Sequence, residues 1–404
     1  MTKPHLNRTV LITVLGLLAA LGPMSIAMYI PGFEEMAVDL GVPGNRVALT
    51  ITTYFIGITI GQLVFGPLID RYGRKKPLLW ALLLFVAASL GCAWSDSLET
   101  LALLRFLQAL GGSSGMVASM AIISDVYEPK ERAGAFSLVM LVLGVAPIIS
   151  PTLGSYFVQV FGWQSVFHFL AIAAAVIALA ILLLLPETRQ VSAAGNMSIS
   201  KSLADYATVM RTKPFLSYAI GGSLASAVTF VFVASSPLVL MGFYKMNATT
   251  FAILYGVSAS GVMLGNYLNG LLVRKLPYLK VMARALVALV LCTLAFTAWT
   301  GLQPAVPFQV VVAGLFLVLC CIGMIYPNSV SASLAPFKAL SGSASALMGS
   351  FMMGISALTT ALVGILPAGS STYMFGLMAV MSILSAWMLR GNPGTAPQPT
   401  AETV

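Results

Sequence analysis

Twelve apolar stretches of membrane-crossing length, parted by short polar turns, limit the folds open to this chain more than any other feature. They cover residues 9 to 30, 47 to 68, 77 to 95, 98 to 123, 134 to 160, 164 to 185, 215 to 240, 249 to 272, 281 to 300, 306 to 329, 340 to 366 and 372 to 389. About 20 apolar residues carry a helix across the hydrocarbon core of a bilayer. Backbone polar groups at that depth must be satisfied inside the segment, which makes each run a helix. A soluble core is excluded by composition: 59% of the 404 residues are hydrophobic, 8% are charged and the mean hydropathy is +0.96. The predicted fold class is all-α, a polytopic membrane protein with 12 transmembrane helices.

The charges orient these spans. With the N-terminus inside, the cytoplasmic segments collect 18 of the 21 basic residues, and only Arg46 and Lys245 fall outside. The excess of Lys and Arg on one side predicts that both termini are cytoplasmic. A net charge of +9 does not point to nucleic acid, because the basic residues form short clusters rather than a continuous face. Anionic lipid headgroups at the cytoplasmic loops are the expected partners. Lys3 and Arg8 precede an apolar run as in a signal peptide, but its length and the lack of a clear cleavage site make it the first retained span. Cys92, Cys292, Cys320 and Cys321 lie in apolar runs without metal-ligand spacing, so neither a disulfide framework nor a metal or cofactor site is expected.

Between Pro186 and Pro214 the chain turns polar and divides the spans six and six. The predicted organisation is an N-terminal six-helix bundle (1–185), a cytoplasmic linker (186–214), a C-terminal six-helix bundle (215–390) and a disordered tail (391–404). In the linker, Ile199, Leu203, Tyr206 and Met210 recur at three or four residues, which fits a short amphipathic helix on the inner membrane surface or a solvated linker. Gly61, Gly66, Asp70 and Arg71 after the second run are echoed by Gly265, Gly270, Arg274 and Lys275 after the eighth. Two such pseudo-symmetric repeats are the pattern of alternating-access transporters, with the substrate held between the halves.

The turn Gly66-Pro67-Leu68-Ile69-Asp70-Arg71-Tyr72-Gly73-Arg74-Lys75-Lys76 resembles the loop motif of the major facilitator superfamily. By that resemblance Gly66, Asp70, Arg71, Gly73, Arg74 and Lys75 form a cytoplasmic latch whose charge pairs make and break between conformations. Read bare, the same residues are a basic turn that sets topology. Leu101, Arg105, Gln108 and Gly111 resemble the superfamily's second motif, in which the arginine faces the central cavity. A charge inside a span costs about 2.5–3.5 kcal/mol, which makes Arg105 a functional candidate, with snorkelling to the nearer interface as the alternative. Ala146-Pro147 and Ser150-Pro151-Thr152-Leu153-Gly154-Ser155 are similar to the antiporter motif of drug exporters, and Pro147, Pro151 and Gly154 equally suit close helix packing. The first run, with Gly22-Pro23-Met24-Ser25-Ile26-Ala27-Met28-Tyr29, resembles that of the Bcr/CflA branch, the bicyclomycin- and chloramphenicol-resistance exporters. Gly61 to Pro67, Asp125-Val126-Tyr127 and Gly162 to Phe167 strengthen the likeness, which is strong over residues 1–185 and mainly topological afterwards.

The branch pattern in the first run is Ser-Ile-Asp-Met-Tyr, and here Ala27 replaces the aspartate. Ser124 stands where arginine is common. None of the twelve acidic residues lies near the middle of a run, whereas proton coupling needs a carboxyl group tuned by burial and a nearby cation. Arg105, Glu34 and Asp125 remain as coupling candidates beside the lost acid at Ala27, and His168 is the other titratable group at depth. The expected function is export of small lipophilic compounds across the bacterial inner membrane by a monomer, with a proton as second partner only if coupling survives. An uncoupled facilitator is the alternative. Tyr29, Tyr54, Arg105, Gln108, Met116, Met120, Met140, Phe230 and Met353 are the expected substrate-lining residues, although such a stripe of methionine and aromatic residues also serves packing. Gly111-Gly112-Ser113-Ser114-Gly115 fits the GxSxG of serine hydrolases, but Ser114 and His168 sit at different depths of their spans, so an enzyme is not expected.

Overall fold

A computed structural model describes residues 8–127, 129–188, 199–303, 306–337, 340–366 and 370–390. All regular structure among them is helical. The elements are α1 (Arg8–Ala27), a 3-10 turn (Ile30–Gly32), α2 (Phe33–Asp39), α3 (Gly44–Val47), α4 (Leu49–Tyr72), α5 (Lys75–Ala93), α6 (Leu98–Val126), α7 (Pro129–Phe161) and α8 (Gln164–Leu184). Within the linker lies α9 (Ile199–Met210), followed by α10 (Lys213–Pro237), a π turn (Leu238–Phe243), α11 (Ala248–Leu272), α12 (Tyr278–Leu302), α13 (Phe308–Leu334), α14 (Ser341–Ile365) and α15 (Ser371–Arg390). Twelve segments are long and apolar enough to cross a membrane, one for each predicted run.

Where the predicted limits moved, the cause is local. The first run breaks at Ala27 instead of reaching residue 30, since proline restricts the residue before it and Pro31 follows Ile30. The chain then re-forms as α2, with Glu34 and Glu35 in its first turn, where carboxylates complement the helix dipole. The seventh span is α-helical to Pro237 and finishes in the π turn, a widening often found at functional sites. The amphipathic linker helix exists as α9, but its packed face differs from the expectation: Tyr206 and the fully buried Val209 join a cluster with Phe215, Ala219 and Met348, while Met210 is exposed. The three-residue step from Tyr206 to Val209 directs that face at protein rather than at a membrane surface.

Packing collects the described residues into two units. The first comprises Met1–Ile199, Val233–Gly256 and Ala357–Gly369, and the second Ser200–Phe232, Val257–Ser356 and Ser370–Val404. Polar contacts inside the first unit tie distant parts of the chain: Asn45 Nδ2 donates to the Gly364 carbonyl at 3.0 Å, Thr52 and Thr360 share a hydrogen bond of 3.0 Å, and Gln159 Nε2 donates to Thr249 Oγ1 at 2.9 Å. These contacts explain why the packed units do not follow the six-and-six division of the sequence.

Within each unit, helices meet backbone to backbone at glycines. A Cβ on Gly57 or Gly61 of α4 would strike the Phe106 carbonyl oxygen or the Ser113 side chain of α6. In the second unit a Cβ on Gly261 or Gly265 of α11 would strike the carbonyl oxygens of Phe316 and Cys320 in α13. The GxxxG pairs Gly57 with Gly61 and Gly261 with Gly265 thus do the same work, letting backbones approach closely where lipid supplies no hydrophobic drive. Substituting Gly57 or Gly265 with leucine is expected to cost at least about 1–3 kcal/mol through overpacking. The readout is a lower thermal midpoint and a broadened size-exclusion peak in detergent, while Gly270→Ala, with nothing within 4 Å of the added carbon, leaves both unchanged.

Candidate functional site

Arg105 lies two turns into α6, which begins at Ser97, whose hydroxyl caps the helix by accepting the Thr100 N–H at 3.2 Å. The guanidinium does not snorkel; it is 0% exposed. One terminal nitrogen donates to Gln108 Oε1 and the other to the Ser25 carbonyl at 2.9 Å. Gln108 passes the link on, its Nε2 donating to Ser89 Oγ at 2.8 Å, and Ser89 donates to the Phe85 carbonyl at 2.7 Å. Two rings close over the cation, Tyr29 and Tyr54, each with its centroid 4.2 Å from the guanidinium carbon, and Phe167 stands at 5.7 Å. Both phenols are anchored: Tyr29 shares a hydrogen bond with Thr50 at 3.0 Å and Tyr54 donates to the Gly22 carbonyl at 3.4 Å.

Among the described residues, no carboxylate belongs to this cage. A desolvated cation over an aromatic face gains about 2 kcal/mol per ring, comparable with the insertion cost of an intramembrane arginine, about 2.5–3.5 kcal/mol. Arg105 is therefore held by π faces and neutral oxygens, and its Nε remains buried without an acceptor. Ala27, buried at the last position of α1, lies two residues beyond the carbonyl that Arg105 binds.

The basic turn forms a second cluster. Gly73 has φ +86°, a region that favours glycine, and a Cβ there would press on the Glu187 carboxylate at 2.7 Å. That carboxylate accepts the backbone N–H groups of Arg74 at 2.7 Å and Lys75 at 3.1 Å, so an anion sits on the open N-terminus of α5. Arg74 Nε donates to Asp125 Oδ2 at 2.8 Å and its Nη2 to Oδ1 at 3.4 Å, a forked ion pair to the end of α6. Thr188 donates to the same carboxylate at 3.2 Å, and Lys75 Nζ caps α8 through the Leu182 carbonyl at 2.8 Å. Arg71 is exposed and stacks over Tyr72 at 5.2 Å. Gly66 has open space around its Cα. The side chain of Asp70 lies outside the described residues.

Of the lining residues expected from sequence, Tyr29, Tyr54, Arg105 and Gln108 are brought together, all fully buried. Met116 and Met120 lie further along α6, the first exposed and the second half-buried. Phe230 and Met353 are half-buried in the second unit, and the side chain of Met140 lies outside the described residues. Asp125 is engaged by Arg74 and Thr188 at a helix end. Glu34 is exposed on α2, where its neighbours Glu35 and Asp39 bind the turn before α8: Asp39 accepts the Trp163 indole N–H at 2.8 Å. In α7, Pro147 is half-buried and Pro151 buried, and a Cβ on Gly154 would strike the Met28 carbonyl oxygen. Ser114 donates to the Gly111 carbonyl at 2.8 Å, and His168 stacks edge-on with Trp94, so the two residues of the hydrolase alternative have separate partners.

Sequence reasoning missed the central part of Glu187. The signal was present: this acid directly follows Pro186 at the end of the sixth run, where no other acid is near in the chain.

Membrane-length helices packed through glycines around a sealed cation, with a clamped basic turn at the helix ends, define a polytopic α-helical membrane protein built like a transporter. Comparison with known proteins narrows this. The Major Facilitator Superfamily profile matches residues 15–360, and the chain belongs to that family. It is 32% identical over 361 residues to YdgK of Bacillus subtilis, described as an uncharacterized MFS-type transporter, covering 89% of each chain. A bicyclomycin resistance protein homolog of Haemophilus influenzae is 25% identical over 94% of this chain and 96% of its own length. A chloramphenicol resistance protein of Pseudomonas aeruginosa is 34% identical over 62% of this chain and 58% of its own. These relatives agree with the branch that the first helix resembles. Among solved structures, a D-xylose–proton symporter superposes with a TM-score of 0.76 at 13% identity, covering 95% of this chain and 97% of its own, a likeness of fold alone.

The cage yields a stability prediction. Arg105→Lys retains the charge but not the planar fork that serves Gln108 and Ser25 together, and is expected to cost about 2–3 kcal/mol. Tyr54→Leu, which removes one face, costs about 2 kcal/mol. Both are read as lowered thermal midpoints of the purified protein.

Proposed function

We propose that this chain is a secondary exporter of small lipophilic compounds, moving them across the bacterial inner membrane by alternating access between its two six-helix halves. Support comes from the family match over most of the chain and from relatives named for drug resistance. Both termini face the cytoplasm in this reading, which the distribution of basic residues supports. Met116 and Met120 of the first unit are taken as substrate contacts, and apolar walls suit neutral lipophilic substrates better than strongly cationic ones. The latch is the Gly73–Glu187 and Arg74–Asp125 cluster, which clamps the ends of α5, α6 and α8 in one conformation and releases them in another.

One observation carries the reading of energy coupling: Arg105 spends its charge on tyrosine rings and neutral oxygens, with no carboxylate beside it. A cation with no acid neighbour has nothing to trade a proton with, so export is weakly coupled to the pH gradient. The test is drug flux in proteoliposomes with and without an imposed gradient, comparing the chain with Ala27→Asp. The expected outcome is a small gradient response for the chain as given and about a tenfold steeper one for the variant, one added coupling step of about 1.4 kcal/mol. Equal, steep responses in both defeat the coupling reading, and absence of flux in both defeats export.

A further inference from the structure

The second unit holds a groove that the proposed transport cycle does not use. α12 and α15 run antiparallel, paired by a Thr293–Ser382 hydrogen bond of 3.0 Å, with Gly376 placed so that an added Cβ would meet Thr297 at 3.8 Å. Towards the start of α12 and the end of α15 they part, and with Tyr218 of α10 they enclose a cleft of about 780 Å3. Its walls are apolar, with Leu286, Val290 and Ile383 along the length, and its open end is framed by Lys280 and Arg390. From Lys280 to Leu291 the lining spans about 16 Å of helix, close to half of the roughly 30 Å hydrocarbon core.

Both cations are exposed, and among the described residues neither side chain has a hydrogen bond or ion pair. The sequence contains no aspartate or glutamate from Lys213 to Arg390. These helices therefore carry no countercharge of their own, and the groove presents two chemistries at once, a dicationic mouth and an apolar wall about one leaflet deep. Trp387, 70% exposed and one turn before Arg390, supplies the amphipathic ring that favours the headgroup boundary. A soluble anion gains nothing from the wall, and an apolar drug gains nothing from the cations. A zwitterionic lipid brings its own ammonium group against both of them.

We propose that the α12–α15 groove binds one anionic glycerophospholipid, its phosphate between Lys280 and Arg390 and an acyl chain along Leu286, Val290 and Ile383. Placing it in the cytoplasmic leaflet rests on the orientation given above, but binding itself rests on neither orientation nor transport. A failed flux assay therefore leaves it standing.

The test uses the full chain, purified in a neutral detergent, with phosphatidylglycerol and phosphatidylcholine as probes, read by native mass spectrometry and thermal shift. Phosphatidylglycerol is expected to stay bound and raise the thermal midpoint, and phosphatidylcholine to do neither. The double variant Lys280→Gln/Arg390→Gln is expected to lose about tenfold or more in affinity for phosphatidylglycerol, and Lys280→Arg to keep it. Ala283→Trp, which fills the groove and keeps both charges, is expected to lose binding as well, while running as the same single species in size exclusion. Equal binding of the two lipids, or unchanged binding in the double variant, overturns the proposal. So does binding that survives Ala283→Trp, which marks surface attraction alone, or displacement by inorganic phosphate, which marks a site for soluble anions.

Discussion

A guanidinium inside a bilayer has to be solvated by protein, and in the first unit that requirement sets the positions of five helices. Arg105 takes a carbonyl from α1, a glutamine from its own helix that leads on to α5, a ring from α4, a ring just past the end of α1, and the edge of another from α8. Each contact is directional, so rotating any one of these helices breaks it. The burial of Tyr29, Tyr54, Gln108 and Ser89 around one charge follows from this, because every group near a desolvated cation has to face it.

Two kinds of contact then complete the assembly, and they differ in how they respond to motion. Glycines facing carbonyl oxygens, as at Gly57, Gly154 and Gly265, depend on shape alone and tolerate no separation without loss of dispersion. The clamp on α5 depends on charge. Glu187, exposed at the helix end, sits on open N–H groups, and the buried Arg74 sits on a carboxylate. The former rest on shape and the latter on charge, and the proposed latch uses that difference.

Much of the fold was legible in the sequence because a bilayer offers few alternatives. Length and apolarity alone located all twelve spans, and errors fell where proline acts, at Pro31 and Pro237. Arg105 could be singled out because an intramembrane charge needs a reason, and Gln108, Tyr29 and Tyr54 were named beside it. That the cation is sealed by rings rather than exposed was not legible, since periodicity does not say which of two apolar faces meets a neighbour. The packed face of α9 turned on the same ambiguity, Val209 in place of Met210. Glu187 escaped notice because its partners are backbone N–H groups, which leave no trace in residue identity.

The absence of acids between Lys213 and Arg390 has an electrical consequence. The stretch contains no carboxylate side chain. The two histidines, His5 and His168, also precede this stretch. Nearly half of the polypeptide thus has neither a carboxylate nor an imidazole side chain with which to take up a proton. Any such group that answers a proton gradient has to come from the rest of the chain or from the cargo.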